Sequence, residues 1–117
     1  MDNISFEEFY AWLDNGGVYD GPVGLSAKFY VKEDQVSQFR QVMNNNLEHS
    51  LGEKGVRLYK MHADFKYSNI FWLIEEWDSV SDLRAHCQSE TFKKNEGLMT
   101  SLMEVPICQI GLYKLLC

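Results

Sequence analysis

What constrains this chain most is the order in which its hydrophobic pattern changes period. From Gly24 onward Leu25, Ala27, Phe29 and Val31 alternate with Ser26, Lys28, Tyr30 and Lys32, the repeat of a strand. Val36, Phe39, Val42, Met43 and Leu47 then recur at helical spacing, with Asp34 placed as the N-cap. The Asn44–Asn46 run is poor helix material and predicts a frayed or kinked end, closed by Gly52 and Gly55. Alternation resumes over 56–65, with Tyr59, Met61, Ala63 and Phe65 on one face, and a turn at Tyr67-Ser68-Asn69 follows. Ile70 to Trp77 is nearly all apolar or aromatic, the signature of a central strand covered on both faces. Ser79 caps a helix carrying Val80, Leu83 and Cys87; a second helical segment from about Ser89 is expected to bend or break at Gly97 and stop at Pro106. Ile107 to Leu116 is the last strand.

Strand–helix–strand–strand–helix–strand is the order of a ferredoxin-like split β-α-β fold, an α+β architecture. In front of it, Ser5 and Glu8 match a capping box, and Phe6, Phe9, Tyr10 and Leu13 stripe one face of a short helix that Gly16–Gly17 ends. The expected division is therefore an arm and linker over 1–22 and a domain over 23–117. Helices in this fold cover one sheet face, yet the strands carry apolar residues on both. A second copy of the chain is the simplest cover, so a symmetric homodimer is expected.

Composition narrows the function. With 117 residues, 45% of them hydrophobic and 14% aromatic, the chain has material for one real core. Its formal net charge of −6 opposes binding to nucleic acid, and the Lys93–Lys94 doublet is flanked by Glu90 and Glu96. The three cysteines, Cys87, Cys108 and Cys117, have neither CxxC nor zinc-like spacing, which fits a reducing, cytoplasmic setting. The first residues lack the basic and apolar regions of a signal peptide, and no apolar run reaches the roughly 18 residues of a membrane span. No cluster has metal-ligand spacing, and no phosphate loop or nucleophile motif is present, so neither metal nor cofactor is expected.

The stretch Glu75-Glu76-Trp77-Asp78-Ser79, then Leu83, Ala85-His86, Ser89 and Phe92, resembles the antibiotic biosynthesis monooxygenase (ABM) domain, whose pattern runs Glu-x-Trp and then Ala-x-His-x-x-Ser-x-x-Phe. Phe29-Tyr30-Val31-Lys32, Phe39, Gly55 and Tyr59 match the earlier part, and the resemblance spans about residues 24–116. It implies a dimeric α+β barrel with a pocket in each subunit between sheet and helices. It also implies one of several chemistries: cofactor-independent oxidation of phenolic or quinol-type aromatics by O2, haem degradation, or isomerisation of small signalling molecules. Where the haem-degrading branch has an Asn, a Trp and a His, this chain has Ser26, His86 and Glu96, which argues against haem degradation. Thr91 stands where many members have a second His, which argues against a two-histidine mechanism.

His86 is the foremost catalytic candidate, because imidazole titrates near neutral pH and can take a phenolic proton, leaving an electron-rich anion for O2. Asp82 lies four residues earlier on the same helix face and is the candidate for orienting the ring. Tyr59, Trp72, Trp77, Ser26 and Glu75 are the candidate contacts to a small aromatic ligand, although Trp77 and Phe71 also read as ordinary core. Glu75 and Glu76 fall on opposite strand faces, so they cannot act as a carboxylate pair. His49 and His62 read as isolated and exposed. The main expectation is a small monooxygenase that needs no cofactor. The alternative is a non-catalytic dimeric ligand-binding or stress-associated module in which His86 is structural.

Overall fold

The computed structural model describes residues 2–15, 19, 21–105 and 107–116. Its elements, in order, are β1 (Asp2–Ser5), α1 (Phe6–Asn15), β2 (Val23–Tyr30), α2 (Val36–Ser50), β3 (Val56–Ala63), β4 (Ile70–Trp77), α3 (Val80–Gln88), α4 (Glu90–Ser101) and β5 (Ile107–Lys114). The strands form one antiparallel sheet in the order β1-β5-β2-β4-β3, whose last four members are the ferredoxin-like sheet expected from the sequence.

Strand alternation decides what enters the core. On β2, Val23, Leu25, Ala27 and Phe29 are buried beneath the helices, and on β4 Phe71, Leu73, Glu75 and Trp77 face the same way. Phe39 of α2 joins Phe29 and Phe71, with ring centroids 5.8 and 5.1 Å away. Each such ring taken fully out of water contributes roughly 1.5–3 kcal/mol. The opposite face carries Ser26, Lys28, Tyr30, Trp72 and Ile74, all half-buried. There the Lys28 ammonium lies 5.0 Å from the Tyr30 ring centre and 4.9 Å from that of Trp72.

Several expectations are corrected. Asp2–Ser5 is a strand, paired with Ile107–Ile110. It went unseen because four residues are too few to show a period, and its pairing to an edge strand uses backbone groups that any side chain permits. A 3-10 turn over Glu33–Gln35 precedes α2, whose N-cap is Gln35 without a side-chain bond, so Asp34 does not cap it. The asparagine run does not fray α2, which continues through it to Ser50, because Asn46 is fully buried and hydrogen-bonded. Gly97 does not break α4, which runs on from Glu90 to Ser101: Gly97 faces open space, while Phe92, Asn95 and Met99 anchor both halves of the helix in the core. Phe65 lies beyond the end of β3 and is 96% exposed. The Gly16–Gly17 and Pro106 stops, Cys117, and the side chains of Ser5, Phe6 and Cys108 lie outside the described residues.

Two local devices position the site. Ser79 caps α3, its Oγ accepting from Asp82 N at 3.1 Å while its hydroxyl donates to Asp82 Oδ2 at 3.0 Å. Gly55 has φ +83°, and any Cβ there would run into the Asp82 carboxylate. Only glycine lets the α2–β3 turn lie against the start of α3, where Gly55 O accepts from Asp78 N at 2.7 Å. The arm shares the core as well, since Phe9 and Leu13 of α1 are buried in it. Arg84 of α3 fastens α1 by donating from Nε and Nη2 to Leu13 O, at 3.3 and 3.0 Å.

Candidate functional site

Between sheet and helices lies a cavity of about 30 Å3, room for a water molecule or two. Its walls are mainly apolar: Leu25, Ala27, Phe29 and Leu73 from the sheet, Leu83, Phe92 and Met99 from α3 and α4, and Phe9 from the arm. Three titratable oxygen or nitrogen side chains interrupt them, those of Tyr59, Glu75 and His86. Cys87 lines the cavity too, and also faces an outer groove formed with Tyr10, Leu13, Arg84 and Lys93.

His86 is 1% exposed and sits in an aromatic box, with ring centroids 4.5 Å from Phe92, 4.8 Å from Trp77 and 5.4 Å from Tyr59. Its Nδ1 lies 2.5 Å from Glu53 Oε1. A carboxylate there accepts from Nδ1–H, so the lone pair of the neutral ring is on Nε2. That nitrogen is buried and has no hydrogen-bond partner among the described residues. Burial lowers the His86 pKa, and the Glu53 carboxylate opposes this only in part, so the ring is held as the neutral base.

Glu75 is buried on β4 between Leu73 and Trp77, and its Oε1 accepts from Trp77 Nε1 at 2.9 Å. Burial pushes its carboxyl up to about 7, with the indole hydrogen bond opposing and the charge of Glu53 adding. Trp77 thus holds both groups, turning its N–H to Glu75 and its ring to His86. The Tyr59 hydroxyl is turned to α2: it accepts from Asn46 Nδ2 at 2.7 Å, and Asn46 Oδ1 accepts from Asn95 Nδ2 at 3.4 Å. Burial raises the Tyr59 pKa well above its usual value, so the phenol stays protonated.

Of the residues expected at the site, the structure brings together His86, Tyr59 and Glu75, with Trp77 directly behind them. Asp82 does not reach the imidazole; its carboxylate is held by Ser79 and covers Gly55, and Glu53 takes the place assigned to it. Ser26 and Trp72 are on the other sheet face, each one residue out of phase with the cavity-lining positions, and Trp72 Nε1 donates to Asp64 Oδ1 at 2.9 Å. Glu76 shares that face, so Glu75 is the member of the pair that meets the cavity. His49 is exposed but not isolated, with Nε2 3.7 Å from Glu53 Oε2. Glu53 and Asn46 were missed because their partners are 33 and 13 residues away. The one local hint was glycine at 52 and 55, marking a tight turn around Glu53. Among the described residues no three His, Cys, Asp or Glu side chains are grouped to hold a metal ion, and no helix is long and apolar enough to cross a membrane.

A family model described as antibiotic biosynthesis monooxygenase matches residues 22–95. Solved structures of similar fold include a conserved protein from Methanosarcina mazei Go1, 25% identical, with TM-score 0.76 over 80% of this chain and 91% of that one. A Caulobacter crescentus CB15 protein named for the same family is 18% identical, with TM-score 0.79 over 85% and 93%. One from Nitrosomonas europaea is 19% identical, with TM-score 0.78 over 86% and 96%. No curated protein matches the chain.

Proposed function

The chain belongs to the antibiotic biosynthesis monooxygenase family, and from that premise we propose that it is a small cofactor-independent oxygenase of phenolic or quinol-type aromatics. The observation that supports this most is the buried Glu53–His86 pair, with Nε2 left unpartnered on a ring that lines an apolar cavity. Nε2 is the base that removes the phenolic proton, Glu53 fixes the tautomer and balances the imidazolium that forms, and the apolar walls keep water from the anion. The anion then reacts with O2. Trp77 and Phe92 hold the imidazole in place and Tyr59 supplies a wall.

A ring of benzene size fills a cavity of roughly 150 Å3, so a wall has to move to admit the ligand, and we propose that this wall is Phe9 on the α1 arm. The small volume of about 30 Å3 is also the observation that favours a second reading, a non-catalytic ligand-binding or stress-associated module of the same fold, in which this region is filled core and His86 is structural. We further propose that two copies pair through the outer sheet face, where Tyr30, Trp72 and Ile74 are half-buried in the single chain.

The test is oxygen consumption over a panel of phenols and quinols. His86→Ala is expected to remain folded and to lose turnover by at least 10²-fold, the lower range for a general base. Equal rates in the two proteins remove His86 from the chemistry, and no turnover of any compound by the unmodified protein favours the binding module. Light scattering checks the pairing: Ile74→Asp is expected to halve the particle mass, and an unchanged mass refutes that interface.

A further inference from the structure

We propose that Glu75 is a second catalytic group of this site, an acid that gives its proton to oxygen bound on the substrate and takes one back from the substrate ring. This rests on the oxygenase reading above. The strand register reserves position 75 for a core side chain, since its neighbours on that face are Leu73 and Trp77. A carboxyl there is out of water with an indole N–H as its donor, and no Lys, Arg or His among the described residues forms an ion pair with it. Such a group weakens the fold, and groups that do so while lining a cavity are where function is to be sought.

The surroundings show why this carboxyl, and not another, is available. The titratable groups around it are Tyr59 from β3, Glu53 from the α2–β3 turn, and His86 and Cys87 from α3. Tyr59 and Cys87 are both driven by burial, with help from the Glu75 charge, to hold their protons. Glu53 is committed to His86. The cavity walls from β2 and α4 carry no titratable side chain, and on α1 the charge of Asp14 acts on Cys87. Glu75, held by burial near neutrality, has both its forms within reach.

The protons and electrons balance as follows for a phenol with a free para carbon. His86 takes the phenolic proton, and the para carbon of the phenolate forms a C–O bond to O2. Glu75 protonates the outer oxygen, giving a hydroperoxide on a carbon that still bears hydrogen. The Glu75 carboxylate removes that hydrogen as a proton, its electron pair completes the C=O bond, and the O–O bond breaks. The departing hydroxide takes the proton stored on His86. Phenol and O2 have become quinone and water, and both residues are back in their starting forms.

The probe is 1-naphthol, whose naphtholate absorbs at longer wavelength than the neutral form. Without oxygen, the unmodified protein and Glu75→Gln are expected to show the same bound naphtholate band, with dissociation constants within about twofold. His86→Ala is expected to lose the band. With oxygen, Glu75→Gln is expected to consume it on the order of 10²-fold more slowly, or worse, and to lose the fall in rate at alkaline pH that the ionisation of Glu75 causes. The variant is also expected to melt no lower than the unmodified protein; if it does not fold, Glu75→Leu takes the same measurements. An unchanged rate with the alkaline limb intact overturns the role of Glu75 and leaves that of His86 standing. Loss of naphthol binding and rate together, with the limb intact, overturns it in favour of a structural residue. No naphtholate band and no oxygen uptake in the unmodified protein overturns the oxygenase reading and the Glu75 role with it.

Discussion

A carboxyl buried against its preference leaves a thermodynamic trace that can be measured without knowing the substrate. Glu75 is raised from its ordinary 4.5 to about 7 because burial penalises its charged form. Each pKa unit is about 1.36 kcal/mol, so ionising it is about 3 kcal/mol harder in the folded chain than in the unfolded one. Between pH 4.5 and 7 the folded state therefore holds more of a proton than the unfolded state does, and stability falls as pH rises. The contribution is fully present below 4.5 and gone above 7. His86 acts with the opposite sign. Its pKa is lowered, so it resists the proton the unfolded chain accepts, and stability falls as pH drops below its ordinary 6.5. Glu75→Gln removes the first effect and leaves the second. Urea unfolding at fixed protein concentration, from pH 5 to 8.5, should show the variant gaining about 2.5 kcal/mol on the unmodified protein across the range, a shift of roughly 10 °C in melting temperature. Two stability curves that run parallel within about 0.5 kcal/mol across that range refute the claim that this carboxyl is held near neutrality by burial.

Glu53→Gln should slow turnover on the order of 10²-fold and move the acid limb of the rate profile to lower pH, because Glu53 is what holds the His86 pKa up; a pH–rate series decides it. Asn46→Leu takes the amide partner away from the Tyr59 hydroxyl and from Asn95 in the core, and urea titration should show a loss of about 1–3 kcal/mol. Phe9→Ala should lower stability by roughly 3 kcal/mol or more while tightening the binding of phenol, measured by calorimetry, because the vacated space joins the cavity. Unchanged phenol affinity there refutes the idea that the arm fills the ligand's place.

The order of periods in the sequence determined the four strands of the ferredoxin-like sheet, the helices between them and which residues of a strand share a face. Side-chain alternation is a local property of extended backbone, so it can be read without knowing which strands are neighbours. The resemblance and the chemistry of imidazole pointed to His86, with Tyr59, Glu75 and Trp77 as candidate neighbours, and the closed structure is what brings these four together. Phase is where local reading gave out: Trp72 and Ser26 carry suitable chemistry but point to the other face, as their strands' alternation requires once the core side is known. The tertiary structure alone decided the partner of His86. A helical spacing of four favoured Asp82, but Ser79 and Gly55 claim that carboxylate, and a glycine-bounded turn brings Glu53 to the ring instead. It alone decided, too, that Asn46 is a buried anchor rather than a weak helix end, and that β1 extends the sheet. Each of these rests on a contact between distant segments, and such contacts exist only once the chain has closed on itself.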